Sequence, residues 1–334
     1  MNFTTRAGHE IGFTALGLGT APLGNLYRSI AESDADATLE AAWSTGIRFF
    51  DTAPLYGRGL AETRLNRFLR GRNRDGFTLS TKVGRLLRRT TPDRVAGEIH
   101  YIDTPAREIV FDYSYDGVLR SVEASLERLG VDRLDILFAH DLGADTHGSR
   151  QASDACLQAF LDGGFRALDD LRRAGVVDAI GAGCNEWEVC EKLARAADVD
   201  IFLLAGRYTL LEQEALTSFL PLCQSKGIGV VVGGPLNSGI LAGGTMYNYR
   251  PAPPEIVAQV ERLRTVCSQH GVALPDAALA FPLAHPAVVS VLAGAVSANE
   301  VRRNVASISA AIPAALWRDL KAAGLIAADA PVPD

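Results

Sequence analysis

Four side chains in this sequence could together move a proton: Asp51, Tyr56, Lys82 and His140. The first two lie in FFDTAPLYG (49–57), where a carboxylate ends an apolar run and a tyrosine follows in a loop broken by proline and glycine. Lys82 lies in STKVG and His140 in LFAHD, each at or next to the end of another apolar run. A tyrosine has an ordinary pKa of about 10 and is a poor base at neutral pH. An ammonium beside it favours the tyrosinate. Lys82 would supply that cation, Asp51 would hold the lysine, and His140 would orient a substrate oxygen. Each residue alone also has a plainer reading, Asp51 as a turn former, Lys82 as a solvated strand-end charge and His140 as a histidine satisfied at a core edge.

The elements that must position these residues follow a rhythm. Short apolar runs at 15–19, 47–50, 77–82, 134–139, 177–182, 201–205, 228–232 and 288–293 alternate with longer amphipathic segments. Several runs, such as IGVVVGG, are apolar without alternation, as in parallel strands covered on both faces. The spacing predicts helices over 114–130, 162–175, 186–197, 212–227, 254–271 and 297–309, with Ser33 and Ser297 as N-caps and Gly130 as a stop. Eight strands alternating with helices predict a (β/α)8 barrel read as one domain over 1–334, with an N-terminal hairpin turning at Gly8 and long βα loops. All four residues would then stand at the C-terminal mouth, where ionisable groups read as catalytic. An open doubly wound sheet is the alternative, weakened because Gly17-Leu18-Gly19 is not followed by the third glycine of a dinucleotide fingerprint. The connection 85–111 is unusually long, and its Arg88-Arg89 pair suits either a solvated face or a lid.

Bulk composition narrows the partners. The chain has 334 residues, 48% hydrophobic and 22% charged, and a formal net charge of −6, which gives no general attraction to nucleic acid. No apolar run reaches the length of a membrane span and no signal segment opens the chain, so a cytoplasmic protein is expected. Cys156, Cys184, Cys190, Cys223 and Cys267 show no CxxC spacing, which speaks against a metal site or a disulfide framework.

From GLGT (17–20) to VRRNV (301–305) the chain resembles the aldo-keto reductase superfamily, whose tetrad motifs are matched in order by FDTAPLYG, STKVG and LFAHD. That resemblance implies that Asp51, Tyr56, Lys82 and His140 are the tetrad. GRYTLLEQ (206–213), GGPLNSGILAGG (233–244), YNYRPAP (247–253) and HGVALPDAALAFPLAHP (270–286) look like the aldose 1-dehydrogenase branch, with L-fucose, D-threo-aldose, D-arabinose and L-galactose dehydrogenases and some pyridoxal 4-dehydrogenases. It implies NAD or NADP as cofactor, oxidation of a free aldose at C1 to a lactone, and Tyr56 as the base (as the acid in reduction). Asn185 would hold the nicotinamide carboxamide, Leu236, Ser238 and Leu241 the pyrophosphate, and Gly294, Ala295, Glu300 and Asn304 the adenosine end. Cys184 stands where a serine is common, Gly233 where a stacking tyrosine is common, and the usual glutamine near strand six is absent. Glu300 and Gly294 occupy places where phosphate-accepting relatives carry an arginine and a lysine, which implies NAD; Arg302 and Arg303 speak the other way. Tyr113, Tyr115, Trp187 and Asn237 are the candidate sugar contacts. The expected partner is the sugar, with no nucleic acid or membrane, in a monomer or small homo-oligomer. A generic aldehyde reductase or a non-catalytic nucleotide-binding subunit of the same fold are the competing readings, the last disfavoured by the intact tetrad.

Overall fold

The computed structural model describes residues 1–95 and 100–333. Eight parallel strands close into a barrel: β1 (Leu16–Gly19), β2 (Phe49–Asp51), β3 (Thr78–Val83), β4 (Leu134–His140), β5 (Val177–Cys184), β6 (Ile201–Ala205), β7 (Gly229–Gly233) and β8 (Val288–Gly294). Each pairs with its sequence neighbours, and β8 returns to β1. Every expected strand run is present, and both faces of the barrel are covered: β3 and β4 are buried along their whole length, although β3 carries Ser80 and Lys82 on one face and Thr81 on the other.

The two faces pack into two cores. Inside the barrel lie Phe49, Ile136, Phe138, Ile201, Leu203, Val231 and Leu292. The N-terminal hairpin (Asn2–Thr4 against Glu10–Gly12, turning through Gly8 at φ 85°) closes this core with Phe3 and Ile11, joined by Phe13. The outer faces pack against the helices, where buried polar ties also act. Thr81 donates to Glu62 at 2.9 Å, and the other Glu62 oxygen pairs with Arg128 at 2.6 Å, joining β3 to two helices.

Helix Tyr115–Leu129 is capped by Ser114, whose hydroxyl accepts from Gly117 N–H, and ends at Gly130 with φ 65°. Helix Ala298–Ile308 is capped by Ser297 as expected. Three expectations need correction. The first helix, Glu32–Ser44, is preceded by extended Ala31, so Ser33 lies inside it; Glu32 opens the helix and pairs with Arg64. The helix expected over 162–175 begins at Arg150 and runs through a π turn at Phe160–Gly164 to Arg173. Its glycines look like a start but serve close approach, since a Cβ on Gly164 would meet the Tyr113 carbonyl oxygen at 2.4 Å. The 212–227 helix is confined to Phe219–Lys226, which puts Pro221 in its first turn, where proline is tolerated. Among the described residues no helix is long and apolar enough to cross a membrane.

Candidate active site

Barrel register brings three of the four residues together. Asp51 pairs with Ser80 across β2 and β3, Lys82 with Phe138 across β3 and β4, and His140 with Gly183 across β4 and β5. Each thus stands two residues beyond the partner of the one before, and a step of two keeps the side chain on the same, inward face. The tilt of barrel strands turns this stagger into one layer at the mouth.

Lys82 is fully buried and donates to Asp51 Oδ2 at 2.7 Å and to the Thr52 carbonyl at 3.0 Å. Ser80 donates to the other Asp51 oxygen at 2.7 Å. Gly183 leaves room for the lysine: a Cβ there would stand 3.3 Å from Lys82 Cε. Tyr56 comes from the loop after β2, and backbone contact sets its place. A Cβ on Gly57, which has φ 62°, would meet the Gly24 carbonyl oxygen at 2.5 Å, so the glycine serves both conformation and proximity. The Lys82 Nζ lies 4.7 Å from the centre of the Tyr56 ring, and the His140 ring stands 6.0 Å away at 89°.

The electrostatics correct one expectation. Tyr56 is raised well above its ordinary pKa, first by burial and then by the charge of Asp51. Lys82 does not reverse this, because its charge is already matched by Asp51 at 2.7 Å. The resting Tyr56 is a phenol. Burial, Arg85 and Lys82 hold the His140 imidazole well below its ordinary pKa, so it is neutral.

Loops complete the mouth. The 85–111 connection is largely a β-hairpin, Arg85–Arg89 against Arg107–Phe111. Its tip returns to the segment after β1, with Ile102 N–H donating to the Asn25 carbonyl and Tyr27 N–H to the His100 carbonyl. The Tyr101 ring lies 6.4 Å from that of Tyr56. A second hairpin, Met246–Tyr247 against Arg250–Pro251, turns through Asn248 and Tyr249, both with positive φ. Tyr249 meets the His100 ring at 6.4 Å and hydrogen-bonds the Asn185 side chain, while His100 meets Tyr27 at 5.7 Å. Sequence reasoning missed Tyr27, His100, Tyr101 and Tyr249, along with Arg85 and Asp141. Arg85, His100 and Tyr101 lie in the 85–111 connection marked by its length, Tyr249 in YNYRPAP and Asp141 in LFAHD, whereas Tyr27 carried no signal. Of the hairpin's arginines, Arg85 is buried, whereas Arg88, in the Arg88-Arg89 pair, is solvated and pairs with Glu108.

Not every candidate joins the mouth. Tyr113 is buried, and its hydroxyl donates to the His140 carbonyl at 2.7 Å, which makes it a brace for the strand end rather than a free substrate contact. Tyr115 lies between outer helices, with its hydroxyl on Asp170 and Arg166 over its ring. Trp187 opens the helix Trp187–Ala196 and packs on the outer core. Asn237 is buried and donates to the Gly206 carbonyl at 3.2 Å, leaving its Oδ1 without a partner. Leu236 and Leu241 pack on the core, so only their backbone could face a ligand. Ser238 accepts from Tyr249 N–H at 3.0 Å. Gly294 is exposed at the end of β8, Ala295 is buried beside it, and Asn304 is half-buried in the last barrel helix. Glu300 has a local role: its Oε2 accepts from Val296 N–H at 2.9 Å while its own N–H donates to Ser297, a reciprocal cap. The start of helix Ala298–Ile308 beside Gly294 suits an anionic group, whereas the orphaned Asn237 Oδ1 is an acceptor and calls for a donor such as a hydroxyl or an amide.

A model of the Aldo/keto reductase family matches residues 15–324. The chain is 44% identical to pyridoxal 4-dehydrogenase of Microbacterium luteolum over 328 residues, covering 94% of each chain. It is 41% identical to D-threo-aldose 1-dehydrogenase of a Pseudomonas species over 322 residues, covering 93% of this chain and 94% of that one. Among solved structures, the holo form of an aldo-keto reductase from Bacillus halodurans superposes with a TM-score of 0.73 at 25% identity, covering 99% of this chain and 97% of that one. The chain belongs to the aldo/keto reductase family, and so to the oxidoreductases.

Proposed function

We propose that this protein is a nicotinamide-dependent dehydrogenase that oxidises C1 of a free aldose in its ring form to the lactone, with a configuration like that of L-fucose, D-arabinose or L-galactose. The observation that carries this reading is the cluster of Tyr56, the Lys82–Asp51 pair and neutral His140 at one barrel mouth. His140 donates to the substrate oxygen and fixes the hydroxyl against Tyr56. Tyr56 takes the hydroxyl proton in oxidation and returns it in reduction. Lys82, anchored by Asp51 and the Thr52 carbonyl, steadies the charge that forms on the phenolate. Asn185 and the 236–241 and 294–304 segments would hold the cofactor, which supplies a hydride acceptor when bound. The aromatic rim shields that chemistry from water.

A second substrate, pyridoxal, is favoured by the rings of Tyr27, His100, Tyr101 and Tyr249 around the mouth and by the relative at 44% identity. Pyridoxal closes to a cyclic hemiacetal, so the same proton transfer serves both substrates. For the cofactor we propose NAD over NADP. Glu300 keeps one carboxylate oxygen free of the cap and would repel a 2′-phosphate.

The test is a panel of these three aldoses and pyridoxal, each with NAD and NADP, with the product identified as lactone. The aldose reading predicts the highest kcat/KM with a sugar, and a higher value for pyridoxal than for every sugar would replace it. No turnover of any substrate would remove the dehydrogenase reading.

A further inference from the structure

Beside the tetrad lies a second buried ion pair that the proton transfer described above does not use. Arg85, the first residue of the hairpin after β3, pairs with Asp141, and Asp141 Oδ2 stands 3.3 Å from His140 Nε2. Both partners are largely buried, and Arg85 Nε and His140 Nδ1 have no hydrogen-bond partner. Burying two charges is costly unless their geometry is tightly held, and here it is.

Asp141 has φ 49°, an uncommon conformation for a residue with a side chain. Three contacts hold its backbone there. Its N–H donates to the Gly183 carbonyl at 2.9 Å, and its carbonyl lies 3.2 Å from the Tyr113 hydroxyl, as a secondary acceptor of the proton given to the His140 carbonyl, and 3.0 Å from His147 Nε2. Tyr113 reaches this point across Gly84, where a Cβ would stand 2.2 Å from the tyrosine ring. Strain held by so many neighbours at a site suggests a role for the side chain it aims.

We infer that Asp141, clamped by Arg85, positions His140: the carboxylate keeps the ring proton on Nε2, and Arg85 offsets the carboxylate charge so that the ring does not take up a second proton. The contact at 3.3 Å is too long to consume the N–H, which stays available to a substrate oxygen. An Nε2–H ring is the donor that the proposed dehydrogenase needs, so this inference rests on that reading for its purpose though not for its test. Around the His140 ring, β3 contributes Lys82, the hairpin Arg85, the β2 loop Tyr56, and the chain after β4 Asp141 and His147, with Tyr113 on the backbone beneath. Of these, Arg85 and Lys82 disfavour a charged imidazole and Asp141 opposes them.

The test is nitrogen NMR of protein labelled in its six histidine rings, with His140 assigned by His140→Gln. In the parent His140 should remain a neutral Nε2–H ring from pH 5 to 9. Asp141→Asn should move it to a mixture of tautomers. Arg85→Met should bring its titration into that window by raising its pKa, and the double variant should return it to a neutral ring. Arg85→Lys keeps the cation and should behave as the parent; it carries the test if Arg85→Met does not fold. In turnover, Asp141→Asn should lower kcat roughly 10- to 100-fold with KM little changed, as misplacement of a donor does. Identical His140 tautomer and titration in the parent, Asp141→Asn and Arg85→Met would overturn the inference. Absence of turnover with every substrate would instead count against the dehydrogenase reading, leaving the NMR result to stand or fall alone.

Discussion

The two ends of the barrel solve opposite problems. At the N-terminal end Phe3, Ile11, Phe13, Phe49 and Ile136 fill the interior with apolar surface, and a short hairpin seals it. At the C-terminal end the same strands finish in Asp51, Lys82 and His140, all buried, surrounded by residues with positive φ such as Asp141, Asn237 and Tyr249. The floor gains stability from burial and needs only shape. The mouth holds buried charges and strained backbone that add little stability, and it can do so because the floor supplies the rest. Stability and chemistry are separated along the strand direction, so substitutions at the two ends should fail in different ways.

The largest effect should come from the mouth. Tyr56→Phe removes the proton carrier and nothing else, and should lower kcat by roughly 10²- to 10⁴-fold while the melting temperature and nucleotide binding stay at parental values. Residual activity within threefold of the parent would dissolve the contrast. The floor counterpart is Phe13→Ala, which empties a buried ring site packed edge-on against Phe49. It should cost about 3–5 kcal/mol in denaturant unfolding, while the folded fraction keeps the parental kcat; a proportional loss of kcat would mean that the two ends are coupled. The mildest test sharpens the electrostatic side. Because burial and Asp51 keep Tyr56 protonated, oxidation needs the scarce phenolate and its kcat/KM should rise about tenfold per pH unit below the Tyr56 pKa. Reduction uses the abundant phenol and should be flat over the same range. Measuring both directions from pH 6 to 9 decides it, and a flat oxidative profile would show that Tyr56 is not the base.

Sequence legibility follows the same division. Most strands could be read because a strand buried on both faces is largely apolar, as β6 and β7 are. Asp51, Lys82 and His140 could be placed at the mouth because a polar residue at or near the end of such a run has a single place to go. Helix starts were less legible where two signals competed. Ser33 resembled a cap, yet the helix starts two residues earlier than that cap would set, at Glu32, which pairs with Arg64. The helix expected from 162 starts earlier, and Gly163 and Gly164 within it accommodate the close approach of the chain at Tyr113 and Tyr115. Glu300 was read only as a cofactor residue, and its capping bond to Val296 became visible once the loop geometry was known.

The sequence by itself determined the barrel, the order of its strands and the placement at its mouth of the strand-borne residues proposed for proton transfer. These rest on local periodicity and on the rule that successive strands lie side by side. The tertiary structure alone decided what faces Tyr56 and His140 from elsewhere in the chain. Tyr27, Tyr101 and Tyr249 come from three loops with no shared pattern, and their meeting depends on backbone contacts such as Leu26 with Tyr101. The protonation of Tyr56 was likewise decided in three dimensions. A lysine near a tyrosine in a motif predicts a lowered pKa, but the outcome depends on whether that lysine's charge is free. Here Asp51 stands 2.7 Å from the ammonium and cancels it, and burial then sets the sign.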